Sequence, residues 1–169
     1  MINIPNYQIT KQIYESANSI VYRGLQIKNN QAVILKLLKE DYPTPAELIR
    51  YKQEYEITHK FNISGAIQAY HIEKYQNTLV IIFEDFGAES LKQLGKISIL
   101  DFFTIAIKIT DYLGNIHAAN IIHKDINPSN IVMNTETKQL KIIDFGIASR
   151  LPHENTILKN PEQLEGTLA

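Results

Sequence analysis

The chain contains no cysteine, only seven glycines and six prolines in 169 residues, and no excess of either charge. Each shortage excludes something. Without cysteine there is neither a disulfide framework nor a thiolate zinc site. A formal net charge of -1 and an isoelectric point near 6.5 leave no basic field to draw the chain to nucleic acid or an anionic membrane. No apolar run approaches the roughly 20 residues needed to cross a bilayer. The opening MINIPNYQIT has neither the basic start nor the apolar stretch of a secretory leader. The expectation is a soluble, cytoplasmic protein with no membrane span. What is present is a 44% hydrophobic composition, enough for one domain with a core of ordinary size.

The pattern of residues divides the chain in two. YQITKQIYE, SIVYRGLQI and AVILKLL are rich in Val, Ile and Tyr and read as a three-stranded antiparallel meander with a turn at KNNQ. TPAELIRYKQEYEITHKF reads as a helix, with Thr44 as its cap, Pro45 at its first position and Glu47 completing a capping box. HIEKYQ and TLVIIFED, around a Gln76-Asn77 turn, predict a further hairpin. After Gly87 the pattern changes. SLKQLG predicts a short helical turn, and SILDFFTIAIKITDYLGNIHAA a long apolar helix capped by Ser98. A polar loop follows, HKDINPSNIVMN, then a hairpin of IVMN with LKIIDFG, then an irregular tail from Ile147 onward.

Two charges stand where apolar residues are expected. At about 100° per residue, Leu48, Tyr51, Tyr55, Ile57, Thr58 and Phe61 share one arc of the first helix, and Glu54 falls inside it. Lys36 interrupts the apolar strand AVILKLL. Either each reaches solvent by itself, lysine by snorkelling, or the two pair, because an unpaired buried charge costs several kcal/mol. In the second half, Asp144 ends the apolar strand LKIID beside a loop bearing Asp125 and Asn130. These are three oxygen donors suited to a hard cation such as Mg²⁺. A loop, unlike a regular element with its fixed period, can point several polar groups at one ligand.

These residues carry a resemblance. Val33-Ile34-Leu35-Lys36, Glu54, His123-Lys124-Asp125 with Asn130, and Asp144-Phe145-Gly146 are similar to the strand lysine, its helix partner, the catalytic loop and the magnesium-binding turn of bacterial serine/threonine protein kinases. The match runs from about Tyr7 to Ala169. His, Asp, Asn, Asp, Phe and Gly at this spacing would arise by chance on the order of once in tens of millions of placements. The resemblance implies an α+β fold: a five-stranded antiparallel N-lobe sheet with one helix at about residues 7–86, and an incomplete, mainly helical C-lobe over about 87–169. It implies ATP and Mg²⁺ as cofactors and a protein as substrate, with further signalling domains downstream on the same chain. Lys36, held by Glu54, would contact the α- and β-phosphates, and Asp144 and Asn130 would hold the metal. Asp125 would accept the proton of the acceptor hydroxyl. The base would sit between the two halves, beside Val21 and against Glu84-Asp85-Phe86, with Phe83 behind it. His123 would be an architectural residue of the loop.

Departures accompany the match. Tyr14, Ser16 and Ser19 stand where the family's phosphate loop has glycines, Ile34 replaces a small residue, and Lys124 replaces an arginine. Asn127 stands where a lysine usually neutralises the transferring phosphate, and an amide brings no charge. Gly166-Thr167 is similar to the Gly-Thr near the end of a kinase activation segment, after which the sequence stops at Ala169. The fragment alone is therefore expected to be inactive toward protein substrates. Three readings stand: a truncated serine/threonine kinase domain, a pseudokinase-like module that binds nucleotide or a partner without catalysis, and a small-molecule phosphotransferase that shares the H-x-D-x-x-x-x-N loop.

Overall fold

The computed structural model describes residues 2–39, 42–60 and 62–151, so Gly166 and Thr167 lie outside the described residues. The chain forms two units. One takes the chain up to Lys60 together with Ile67–Gly87; the other takes the short stretch before Ile67 together with the chain from Ala88 onward.

In the first unit, β1 (Tyr7–Glu15), β2 (Ser19–Gln26), β3 (Gln31–Leu38), β4 (Ala69–Tyr75) and β5 (Thr78–Glu84) form one antiparallel sheet in the order β1-β2-β3-β5-β4. Helix α1 (Pro45–Lys60) lies between β3 and β4 in sequence. Its capping box is formed: the Thr44 N–H donates to Glu47 Oε2 at 2.8 Å and the Glu47 N–H to Thr44 Oγ1 at 3.3 Å. Strand alternation sorts the sheet into two faces. Tyr22, Val33, Leu35, Leu37, Val80 and Ile82 pack with Ile4 and Tyr7 on one face. On the other, the pairs Val21↔Lys36, Lys36↔Ile81, Arg23↔Ile34 and Ile34↔Phe83 line up. β1 and β4 are the outer strands, yet the Tyr7 hydroxyl lies 2.6 Å from His71 Nε2 and 3.3 Å from Glu73 Oε1. The twist of the sheet curls its two edges toward each other over the first face.

The second unit contains β6 (Glu89–Ser90), α2 (Leu91–Leu94), α3 (Ile99–Ala118), β7 (Ile121–Ile122), β8 (Ile131–Met133), β9 (Leu140–Ile142) and β10 (Ser149–Arg150). Ser98 caps α3 by accepting from the Asp101 N–H at 3.0 Å. Ile105, Ile131, Met133 and Leu140 form a small core with Leu91, Leu94, Ile109 and Tyr112 against it. The stretch before Ile67 belongs here through β9, where Ala66 bridges Ile142 in parallel and the Ile142 N–H donates to the Gly65 carbonyl at 2.7 Å. Gly65 has φ +87°, and a Cβ there would fall 2.0 Å from Tyr112 Cγ, so only glycine fits. Helix α3 is apolar on several faces, but its buried residues are Ile105 and Ile116. Leu100, Phe103 and Ile107 are all more than half exposed.

One expectation is corrected. The chain after Ile147 is not irregular throughout, because β10 pairs antiparallel with β7, Ser149 opposite Ile122 and Arg150 opposite Ile121. Neighbouring bonds hold the pairing: the Leu151 N–H donates to the Asn120 carbonyl at 2.8 Å and the Ala148 N–H to the Phe145 carbonyl at 3.1 Å. Among the described residues, no helix is long and apolar enough to cross a membrane.

Candidate active site

In the first unit the two misplaced charges meet. Lys36 Nζ lies 2.8 Å from both carboxylate oxygens of Glu54, whose side chain is 3% exposed. Tyr51, Glu54, Ile57 and Thr58 are the buried residues of α1, spaced at three and four so that they share one face. Glu54 thus points inward because the helix period carries it there. Both partners are held from behind: the Tyr51 hydroxyl donates to the Lys36 carbonyl, and Thr58 Oγ1 donates to the Glu54 carbonyl at 2.7 Å. Val21 and Ile34, both half-buried, share the sheet face of Lys36, with buried Phe83 opposite Ile34.

The turn between β1 and β2 closes without glycine. Ser16 Oγ accepts from the Asn18 N–H at 3.3 Å and the Ser19 N–H at 3.1 Å, and the Ser16 N–H donates to the Ser19 carbonyl at 2.8 Å. A side-chain oxygen does here what a serine turn does elsewhere, fixing a tight backbone by local hydrogen bonds. Lys39 ties the same tip to the end of β3: its N–H donates to the Asn18 carbonyl at 2.9 Å, and its Nζ pairs with Glu15 at 2.6 Å. At the other end of the sheet, Glu84 turns its carboxylate onto the Gln68 N–H at 2.8 Å and donates its own N–H to the Gln68 carbonyl at 3.0 Å. Phe86 is half-buried.

In the second unit, one loop gathers the polar groups. His123, 1% exposed, has an unambiguous tautomer: Nδ1 lies 3.2 Å from the Asp125 N–H, a donor, so Nε2 carries the hydrogen and donates to the Ile143 carbonyl at 2.9 Å. Its ring stands edge-on to the buried Phe145, with centroids 4.7 Å apart. Burial pushes the imidazole below its usual pKa, opposed by the bond to Ile143 and by the charges of Asp144 and Asp125. A neutral histidine that joins the loop to the strand end is a brace, not a base.

Asp125 is held by two amides. Asn127 Nδ2 donates to its Oδ1 at 3.1 Å and Asn130 Nδ2 to its Oδ2 at 2.9 Å. The orientation of Asn127 is set from the other side, where its Oδ1 accepts from the Ser129 N–H at 2.8 Å. The Ile143 N–H donates to the Asn130 carbonyl at 2.9 Å, extending the β8–β9 ladder by one residue and setting Asp144 beside the loop. Lys124 and Asp144 have φ +69° and +65°. These left-handed conformations cost non-glycine residues roughly 1–2 kcal/mol each, and such strain gathers at functional sites.

The donor set fits a hard cation. Asp144 supplies a carboxylate, and Asn130, whose amide nitrogen is committed to Asp125, has its amide oxygen to offer. Among the described residues, no group of three or more His, Cys, Asp or Glu is placed to hold an ion. Two ligands are too few for a cage, so a Mg²⁺ ion here would draw the rest of its shell from phosphate and water. One contact that the sequence does not announce is the ion pair of Arg23 with Asp85, residues far apart in the chain.

The chain is similar to known proteins over nearly its whole length. The family model described as the protein kinase domain matches residues 7–169. A probable serine/threonine-protein kinase of Clostridium perfringens is 27% identical over 176 residues, covering 95% of this chain and 26% of the relative. One of Clostridium acetobutylicum matches with the same identity and coverage. The serine/threonine-protein kinase PrkC of Bacillus subtilis is 27% identical over 178 residues, covering 96% of this chain and 27% of its own. The chain thus spans about a quarter of the length of these curated relatives.

Proposed function

The chain belongs to the protein kinase family, and from that premise we propose that it carries nucleotide- and metal-binding parts of a site for ATP-dependent phosphoryl transfer to serine or threonine of a protein. The observation that supports this best is the Ile143–Asn130 bond, which sets Asp144 beside the loop of Asp125 and Asn130. In this reading residues 7–86 act as the N-lobe and residues from 87 onward as the start of the C-lobe, in a cytoplasmic protein.

Lys36, aimed by Glu54, binds the α- and β-phosphates. The base lies against Glu84-Asp85-Phe86, with Val21 and Ile34 on the sheet face beside it. Asn130 and Asp144 hold Mg²⁺, which when bound neutralises phosphate charge. Asp125 takes the proton of the acceptor hydroxyl, and its two amide donors keep the carboxylate oriented for it. His123 keeps the loop in place.

A second reading, nucleotide binding without transfer, is favoured by one specific observation. The group that donates to Asp125 Oδ1 is the neutral amide of Asn127, which brings no charge to a transferring phosphate. Two experiments decide. Calorimetry should show Mg²⁺-dependent ATP binding that Asp144→Asn abolishes; equal affinity with and without Mg²⁺ would sink the metal-assisted reading. In a form extended over the rest of the kinase domain, Asp125→Ala should lower the transfer rate by roughly 10² to 10⁴. Asn127→Lys should raise the rate with little change in nucleotide affinity, because the added charge acts on the group in transit. An extended form that is inactive both with Asn127 and with lysine there would establish the non-catalytic reading.

A further inference from the structure

We infer that Asp85 is a positioning residue: paired with Arg23, it locks the backbone of Glu84–Gly87 in the shape that receives the nucleotide base. The inference rests on the proposed function, in which that segment meets the base.

Asp85 follows β5, and its side chain is only 5% exposed. Both of its oxygens are engaged. Oδ2 lies 2.7 Å from Arg23 Nε, and Oδ1 accepts from the Gly87 N–H at 2.9 Å. The second contact is an Asx turn: the carboxylate spans Phe86 and draws Gly87 into φ +71°, a conformation that glycine adopts without strain. The first contact fixes where that turn lies. Arg23 belongs to β2, and β3 separates it from β5. In register, Arg23 pairs with Ile34 and Ile34 with Phe83, so its side chain reaches across β3 to the residue two beyond Phe83. That row occupies the sheet face that also bears Lys36. Glu84 is fastened separately, by its two bonds with Gln68. The segment is therefore held at Glu84 by Gln68 just before β4, at Asp85 by β2, and at Gly87 by Asp85 itself.

A recognition segment that reads a base with its main chain has no side chain to adapt, so its affinity depends on how often the backbone is already in shape. If release of Asp85 leaves the competent shape populated about one time in ten, the apparent Kd for the nucleotide rises about tenfold, whereas contacts to phosphate are untouched. An aspartate beside a base-binding segment does not need to touch the ligand to set its affinity.

The test compares ATP with inorganic tripolyphosphate, each with Mg²⁺, by calorimetry on the whole chain. Asp85→Ala should weaken ATP about tenfold and leave tripolyphosphate within about twofold. Asp85→Asn keeps an acceptor for the Gly87 N–H but loses the charge, so it should weaken ATP by about threefold, as should Arg23→Met, with Arg23→Lys recovering part of the loss. Thermal melts accompany each variant, so that loss of fold is not read as loss of affinity, and Asp85→Asn, the gentler change, carries the test if Asp85→Ala does not fold. Unchanged ATP affinity in folded Asp85→Ala or Asp85→Asn, or equal weakening of both ligands, would overturn the inference and leave the parent reading standing. A parent chain that binds tripolyphosphate but not ATP, or neither, would overturn the parent reading and this one with it.

Discussion

The two units hold their polar groups by different means. In the first, Lys36 and Glu54 come from a strand and a helix, each charge is backed by a hydrogen bond to its own carbonyl, and the sheet is buried on the face behind. In the second, Asp125, Asn130 and Asp144 stand on irregular backbone, with Lys124 and Asp144 at positive φ, and the support comes from amides and a neutral histidine. Regular elements fix a pair of charges by opposing them directly. Loops fix a group of polar side chains by bracing them with neutral donors, which orients a carboxylate without opposing it with a fixed cation. The first arrangement is strong but specific to one partner; the second is strained but open to ligand.

If that contrast holds, the largest loss of stability should come from breaking the ion pair. Glu54→Ala removes the carboxylate that holds Lys36, a side chain only 14% exposed, and should cost about 3–5 kcal/mol in denaturant titration. Lys36→Met with Glu54→Leu should recover most of it, since an apolar pair of similar volume removes both charges together. A cost below about 1 kcal/mol for Glu54→Ala would mean that the pair is hydrated, and would erase the distinction between the units.

A smaller effect separates the units by pH. His123 has its pKa lowered by burial, so below its ordinary value of 6.5 the unfolded chain takes up a proton that the folded loop refuses, and stability falls with acidification. Tyr7, in the first unit, is pushed up to about 12 by burial and by the charge and hydrogen bond of Glu73. Its contribution is complete below 10 and lost as pH rises toward 12. Acid should therefore weaken the second unit first and alkali the first. Amide exchange measured on each unit across pH should show this, and His123→Gln and Tyr7→Phe should flatten their respective limbs. The smallest effect concerns the outer face of α3. Ile107→Lys replaces a side chain that is 70% exposed, and should change stability by no more than about 0.5 kcal/mol while lowering hydrophobic-dye binding. A loss of several kcal/mol would show that this face is packed.

The first unit was largely legible in the sequence, because its strands, its cap at Thr44 and its turn at Gln76-Asn77 are local signals repeated over several residues. Glu54 was legible for the same reason: its place on the apolar arc follows from the helix period alone. In the second unit, α3 and the β8–β9 hairpin were readable, but β6, β7 and β10 were not. Two residues show no period, and their pairing is decided by chain brought from elsewhere. The amide brace on Asp125 and the Arg23–Asp85 pair were equally hidden. An asparagine in a loop reads as a turn former, and an arginine on a half-buried strand reads as a solvated face. Only three-dimensional proximity shows what each is for.

The Gly65–Ile142 bond also bears on how the chain is made. The two residues are separated by the whole of the first unit's second segment and the whole of α3, so the bond cannot form until Ile142 has been synthesised. At about 5–20 residues per second, Gly65 waits roughly 4–15 s for its partner. During that interval the strands up to Glu84 are all available to pair, whereas the stretch before Ile67 has none of β9 to lie against. The ribosome therefore delivers the first unit ready to fold and the second with its earliest piece held in reserve. A pause in translation before Leu140 would lengthen the life of that half-made state without touching any residue of the finished protein.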